Sequence, residues 1–148
     1  MKSFILIIVI ILFTSNLVGQ SEYSKYIVAD SLKKTLLVKN KTGDEKINYL
    51  GVIKKTNGDT IYYIVTVFSR VQAARVMHGH SNIIYIGKDL KEKKRYDIAL
   101  PEELPYKLDN NTLYFKYLDE ATNKKKIFKN KVGTTLPKIM CVGPDNCG

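Results

Sequence analysis

Read for hydrophobic spacing, the chain from Tyr26 onward breaks into short apolar runs separated by Lys, Asn, Asp and Gly. "YIVAD" and "TLLVKN" each read as a short strand, with "SLKK" between them. "INYLGVIKK" reads as another, followed by "TNGDT". There Asn57-Gly58 supplies the positive φ angles that a tight hairpin demands. The returning strand is "IYYIVTVF", with Ile61, Tyr63, Val65 and Val67 on one face and Tyr62, Ile64, Thr66 and Phe68 on the other. Both faces are largely apolar, so this strand is predicted to be central and covered on both sides.

The pattern changes at "SRVQAARVMHG". Ser69 followed three residues later by Gln72 matches a capping box, in which each side chain bonds an orphan amide of a first helical turn. Val71, Ala74 and His78 fall on one helical face, and Gly79 stands where a helix would end. The spacing predicts one short helix near residues 70–78. β-branched Val71 and Val76 would permit a continued strand instead. Beyond it, "NIIYIG" and "RYDIAL" read as strands joined by the polar "KDLKEKK", and Pro101 and Pro105 end regular structure around "EEL". In "NNTLYFKYLDEATNKKKIFKN", Leu113, Phe115 and Tyr117 mark one face of a hairpin whose turn spans Asp119 to Asn123. No repeat of solenoid or propeller period appears. The expected fold is mainly β: a single antiparallel domain, sandwich or barrel, of about seven or eight strands.

The first nineteen residues stand apart from this pattern. Lys2 precedes an unbroken apolar run from Phe4 to Phe13, then polar Thr14, Ser15 and Asn16, then the small Gly19. That order describes a secretory signal peptide, residues 1–19, and the run is too short to cross a bilayer. No cysteine lies near the cut, so no lipid anchor is expected there. The protein is expected to be exported, to a periplasmic or extracellular space, as one β-rich domain over residues 20–148. Of 24 Lys and Arg against 14 Asp and Glu, export removes one lysine and no acid, so a strong basic surplus remains. All ten tyrosines fall in the exported part.

Export changes the reading of the two cysteines. Cys141 and Cys147 enclose the turn-forming "VGPDN", and in an oxidising compartment the pair is expected to bond and clip the C-terminal tail. Their spacing is not that of a C-x-x-C redox or zinc motif.

Candidate chemistry is sparse. His78 and His80 are the chain's two histidines. On a strand they would face the same way and could share Cu or Zn, although a site needs three or four protein ligands. Met77, Met140 and the two cysteines are soft donors elsewhere in the chain. At a helix end, His78 would instead meet the negative pole of the helix dipole. A small hydrolase would need Ser81 beside His80, oriented by a carboxylate such as Asp89, yet nothing like a nucleophile elbow surrounds Ser81. Glu102 and Glu103, adjacent between two prolines, read as a solvated turn.

The basic surplus carries the remaining signal. Lys91, Lys93, Lys94 and Arg95, with Lys88, cluster in one connection; Lys124, Lys125 and Lys126, with Lys129 and Lys131, cluster around another. Such a surface attracts an anionic glycan or a membrane surface, a protein partner is the other expectation, and nearby tyrosines can stack on sugar rings. Export and the lack of a recognition motif argue against nucleic acid. Lysines at hairpin ends also keep sheet edges soluble without binding anything. A binding or interaction module is the leading expectation, ahead of a metal-binding protein and a hydrolase.

Overall fold

The structure, a computed structural model, describes residues 20–29, 32, 34–73, 76–144 and 146–147. The expected signal peptide, residues 1–19, lies outside the described residues. A short helix α1 (Ser24–Val28) precedes strands β1 (Thr35–Asn40), β2 (Gly43–Lys54), β3 (Thr60–Ala73), β4 (Val76–Gly87) and β5 (Glu92–Ile98). A 3-10 turn (Pro101–Glu103) leads to β6 (Lys107–Asp109), β7 (Thr112–Asp119) and β8 (Lys124–Lys131). The first five strands form one antiparallel sheet in sequential order, and the last three form a second. The fold is mainly β, as the hydrophobic pattern predicts, and its two sheets are open meanders rather than a closed barrel.

β3 lies at the middle of the larger sheet and is buried on both faces. One side of that sheet presents Ile53, Ile64, Ile83 and Tyr85 to Leu113 and Phe115 of β7. The other side gathers Ile47, Val65, Val67, Ile84 and Ile86 beneath Tyr23 and Ile27 of the α1 segment. Alternation sends successive residues of β3 to opposite cores, because successive side chains of a strand face opposite ways. β2 serves both cores by another device. Between Tyr49 and Gly51 it carries one extra residue relative to β3, a bulge with Gly51 at φ +133. Ile47 and Tyr49 therefore face one core and Ile53 the other, although all three are odd-numbered.

Three expectations need correction. The described part of residues 70–78, residues 70–73 and 76–78, is strand and not helix. β3 continues to Ala73 and β4 begins at Val76, with Arg70 opposite Gly79 and Val71 opposite His78. A two-turn helix there would have had only Val71, Ala74 and His78 as an apolar stripe. A strand instead gains a ladder with β2, which runs alongside as far as Gly43, and a bidentate Arg70–Asp44 ion pair across it. Gly79 ends nothing; a Cβ there would stand 3.1 Å from Cε2 of Phe68, so glycine leaves room for that ring. "YIVAD" is likewise not a strand, since its first three residues belong to α1. Tyr23 and Ile27 are both buried, and their i, i+4 spacing is the helical signal. Finally, the turn after β2 spans five residues, 55–59, between paired Lys54 and Thr60. Gly58 alone takes positive φ there, while Asn57 accepts a hydrogen bond from the Asp59 amide through its Oδ1.

The chain after β8 folds back onto the first core. The hydroxyl of Tyr62 donates to the carbonyl of Thr134 and that of Tyr96 to the carbonyl of Pro137. Met140 and Val142 are buried in the core. Just beyond, the Cys141 and Cys147 sulfurs are bonded at 2.00 Å. Glu103 accepts a hydrogen bond from Asn146 at 2.8 Å, so the expected solvated acid instead ties the 3-10 turn to the disulfide loop. Among the described residues no helix is long and apolar enough to cross a membrane.

Two stability predictions follow from this packing. Converting both cysteines to serine opens a short loop and should cost about 2 kcal/mol by loop-closure entropy, read as a lower denaturant midpoint. Tyr85 is fully buried, edge-on to the rings of Tyr62 and Tyr96, and its hydroxyl has no hydrogen-bond partner among the described residues. Tyr85→Phe should therefore leave stability unchanged or raise it by up to about 1 kcal/mol. A loss larger than that would mean the hydroxyl is bonded after all.

Candidate anion-binding face of the three-stranded sheet

β7 alternates Leu113 and Phe115 inward with Tyr114, Lys116 and Leu118 outward. Its inward face is the one that the hydrophobic pattern marks. Register carries the outward face across the sheet: Tyr114 lies between Lys107 on β6 and Lys129 on β8, Lys116 opposite Ile127, and Leu118 opposite Lys125. Tyr106, whose amide donates to the Tyr114 carbonyl, adds its ring 6.5 Å from that of Tyr114.

Two aromatic rings thus stand among three ammonium groups. Nζ of Lys107 and of Lys129 lie 5.1 and 5.5 Å from the Tyr114 ring centre, and Nζ of Lys116 lies 4.8 Å from that of Tyr106. Exposed contacts of this kind contribute about 0.5–1 kcal/mol each, enough to bias where the ammonium groups rest. Lys107 also meets Asp109 at 3.1 Å, and that hydrogen bond raises its pKa. Lys116 and Lys129 have no carboxylate partner among the described residues. They are therefore free to neutralise a bound anion. Leu118 and Ile127, both more than half exposed, extend the apolar strip toward the β7–β8 turn.

The structure divides the two lysine clusters named from sequence. Lys124, Lys125 and Lys126 are successive strand residues and so alternate in direction. Lys125 shares the outer face, whereas Lys126 pairs with Asp119, which stands on the inward-facing side with Tyr117. The other cluster sits at the far edge of the other sheet, on and beside β5. Lys93 is paired with Asp89 at 2.6 Å, and Arg95 is bidentate to Glu92 and lies 5.9 Å from the Tyr23 ring. Lys94 rests 5.5 Å from the Tyr96 ring, which leaves Lys91 and Lys88 as its exposed cations without acid partners among the described residues. β5 and β8 belong to different sheets, each at an edge of its own.

Sequence reasoning missed Tyr106, Lys107, Tyr114 and Lys116. The signal was present in "TLYFKYL", where Tyr114 and Lys116 occupy the alternate positions to the apolar face.

The histidines occupy adjacent same-face positions of β4, both exposed. Among the described residues no group of three His, Cys, Asp or Glu side chains lies close enough to hold a metal ion. The hydrolase arrangement does not assemble. Ser81 is buried on the opposite face of the strand from His80, and Asp89 lies beyond the far end of β4, engaged with Lys93. An open groove of about 1000 Å³ runs between the 3-10 turn, the disulfide loop and the β7–β8 turn. It mixes Glu102, Glu103, Asp119 and Glu120 with Lys116 and Lys125, so it presents no single sign of charge.

Compared with known proteins, the chain matches no family model, no curated protein and no solved structure.

Three aspartates are held below the usual carboxylate range by the cations beside them: Asp44 by Arg70, Asp89 by Lys93 and Asp119 by Lys126. A depressed carboxylate stabilises the fold above its unfolded value near 4, and that contribution disappears as pH falls through the folded value. The melting temperature should therefore drop on acidification from about pH 5 downward. In Asp44→Asn the drop should be shallower than in the unaltered protein. An equally steep acid limb in that variant would show that the Arg70 pair adds nothing.

Proposed function

We propose that the protein is an exported binding module whose three-stranded sheet takes an acidic glycan on its outer face. The observation that carries this reading is the row of Lys107, Tyr114 and Lys129 in register across three strands, with Tyr106 and Lys116 beside it. Aromatic rings offer flat area to sugar rings at little entropic cost, and ammonium groups neutralise sulfate, phosphate or carboxylate substituents. From Tyr114 to Leu118 the strip runs four residues, about 13 Å at strand rise, which suits an extended chain better than a single ion. The surplus of cations over acids, 24 against 14, favours an anionic partner from a distance. Export follows from the N-terminal segment, whose short basic start, apolar run and small Gly19 match a signal peptide.

Heparin affinity chromatography, with heparin as a sulfated glycan probe, tests this. The protein should be retained at low salt and elute with a steep salt dependence. The combined Lys107→Ala, Lys116→Ala and Lys129→Ala variant should elute earlier, and its plot of log affinity against log salt should lose about two units of slope, one for each of Lys116 and Lys129. Tyr114→Ala should weaken binding while leaving the slope unchanged. Replacing Lys91, Lys93, Lys94 and Arg95 should matter much less. Absence of retention, equal sensitivity to the two clusters, or preference for anionic lipid vesicles over heparin would overturn the reading.

A further inference from the structure

We propose that the free edge of β4 pairs with the same edge of a second copy of this chain, and that His78 and His80 of both copies then hold one divalent transition metal ion between them.

β3 accompanies β4 to its first residue, with Ala73 opposite Val76, but β5 reaches only as far as Ser81, opposite Ile98. Among the described residues, Val76 to His80 therefore has a neighbour on one side only. Hydrogen-bond phase shows which groups are left open. The Gly87 amide donates to the Lys91 carbonyl and the Gly87 carbonyl accepts from Leu90, so Gly87 faces β5. β4 keeps an unbroken register with β3, so its odd-numbered residues all point their backbone groups to that side. β3 gives the same phase independently. Gln72 donates to the Thr42 carbonyl on the β2 side, so Val71 faces β4, where His78 faces back. The open N–H and C=O groups within Val76–His80 are thus those of Met77 and Gly79.

These two residues flank His78 symmetrically. A two-fold axis that sets His78 against His78 of the second copy pairs Met77 with Gly79 twice, forming four N–H···O=C bonds. Every open group in the window is then satisfied and β5 of neither copy is displaced. A register that set Met77 against Ser81 is blocked, because Ser81 is already paired with Ile98. In the allowed register the two His78 residues form a non-hydrogen-bonded pair, the closest cross-strand position, with Cβ atoms about 4.5–5.5 Å apart. Their side chains leave the sheet on the same face. His80 of each copy stands diagonally beside His78 of the other, opposite Val76.

This juxtaposition supplies what one chain lacks. A protein metal site takes three or four ligands, and a single chain offers two imidazoles with no third donor among the described residues. Two copies offer four on one face. Imidazole suits Zn²⁺ and Cu²⁺, and Zn²⁺ accepts a tetrahedral set without further demands. Around the histidines β3 presents only Ser69 and Val71, which leave the rings uncovered. Next along the same face is Asn82, 6% exposed, whose Oδ1 has no hydrogen-bond donor among the described residues. It is an acceptor for the ring N–H that a metal-bound His80 would carry on its other nitrogen. Five residues of edge are short for a stable interface alone, so the ion and the pairing require each other.

Sedimentation velocity of the purified protein with added Zn²⁺ or Cu²⁺, and with EDTA, tests this directly. The expected result is a monomer in EDTA and a dimer carrying one Zn²⁺ per two chains. His78→Ala and His80→Ala, both at exposed positions, should keep the fold by circular dichroism. They should also lower Zn²⁺ affinity by more than the about 10–100-fold seen for outer-shell changes. Met77→Pro removes an outward N–H while keeping both imidazoles, and should abolish the dimer. Amide exchange gives a readout that a merely sticky surface would not: Zn²⁺ should slow exchange at Met77 and Gly79. Val76, His78 and His80, already turned to β3, should change little. One Zn²⁺ per chain without dimerisation, a dimer that persists in EDTA or in the double histidine variant, or unchanged exchange at Met77 and Gly79 would each overturn the proposal.

Discussion

The architecture depends on one constraint, the burial of β3 on both faces. Ile64 and Val65 are neighbours in the chain, point in opposite directions, and are both fully buried. A strand in that position needs two covers, and a five-stranded meander provides neither. The α1 segment supplies one with Tyr23 and Ile27, held in place where the Ser21 amide donates to the Leu90 carbonyl at 2.9 Å. The three-stranded sheet supplies the other with Leu113 and Phe115. The second cover is one layer thick, so its far side is a sheet face turned away from the core. That is where the tyrosines and unpaired lysines stand.

Cations in this chain fall into two kinds, and composition cannot separate them. Arg70, Lys93, Arg95, Lys107 and Lys126 are each held by a nearby carboxylate and contribute local order. Such exposed pairs are worth little for stability, but they remove the charge from use by a ligand. Lys116 and Lys129 rest on aromatic rings instead, which orients them without neutralising them. The difference between a solvated face and a binding face lies in these partners rather than in the density of lysine.

How much could be read from the sequence depended on whether the signal was local. The central strand was readable because apolar residues on both faces of "IYYIVTVF" admit little else. The β7–β8 hairpin was readable because Leu113, Phe115 and Tyr117 keep strict alternation up to the turn. The helix expected near residues 70–78 rested on local cues, Ser69, Gln72 and Gly79, and these lost to a partner distant in sequence. β2 lies alongside, Asp44 meets Arg70, and the ring of Phe68 needs the space that Gly79 leaves. The outer face of the small sheet was hidden for a related reason. Lys107 and Lys129 stand twenty-two positions apart with Tyr114 between them, and only strand register makes the three a row.

The two cores also differ in when a growing chain can complete them. The core beneath α1 draws on Tyr23 through Leu90, so all its parts exist once the β4–β5 turn has been made. The core on the opposite side needs Leu113, Phe115, Met140 and Val142. A chain emerging from its N-terminus holds Ile53, Ile64 and Ile83 without their cover until Leu113, Phe115, Met140 and Val142 arrive. That interval exposes a broad apolar sheet face, the kind of surface a holdase chaperone would engage. The tail bearing Met140 and Val142 therefore sets the end of the chain's vulnerable period as well as the edge of its core.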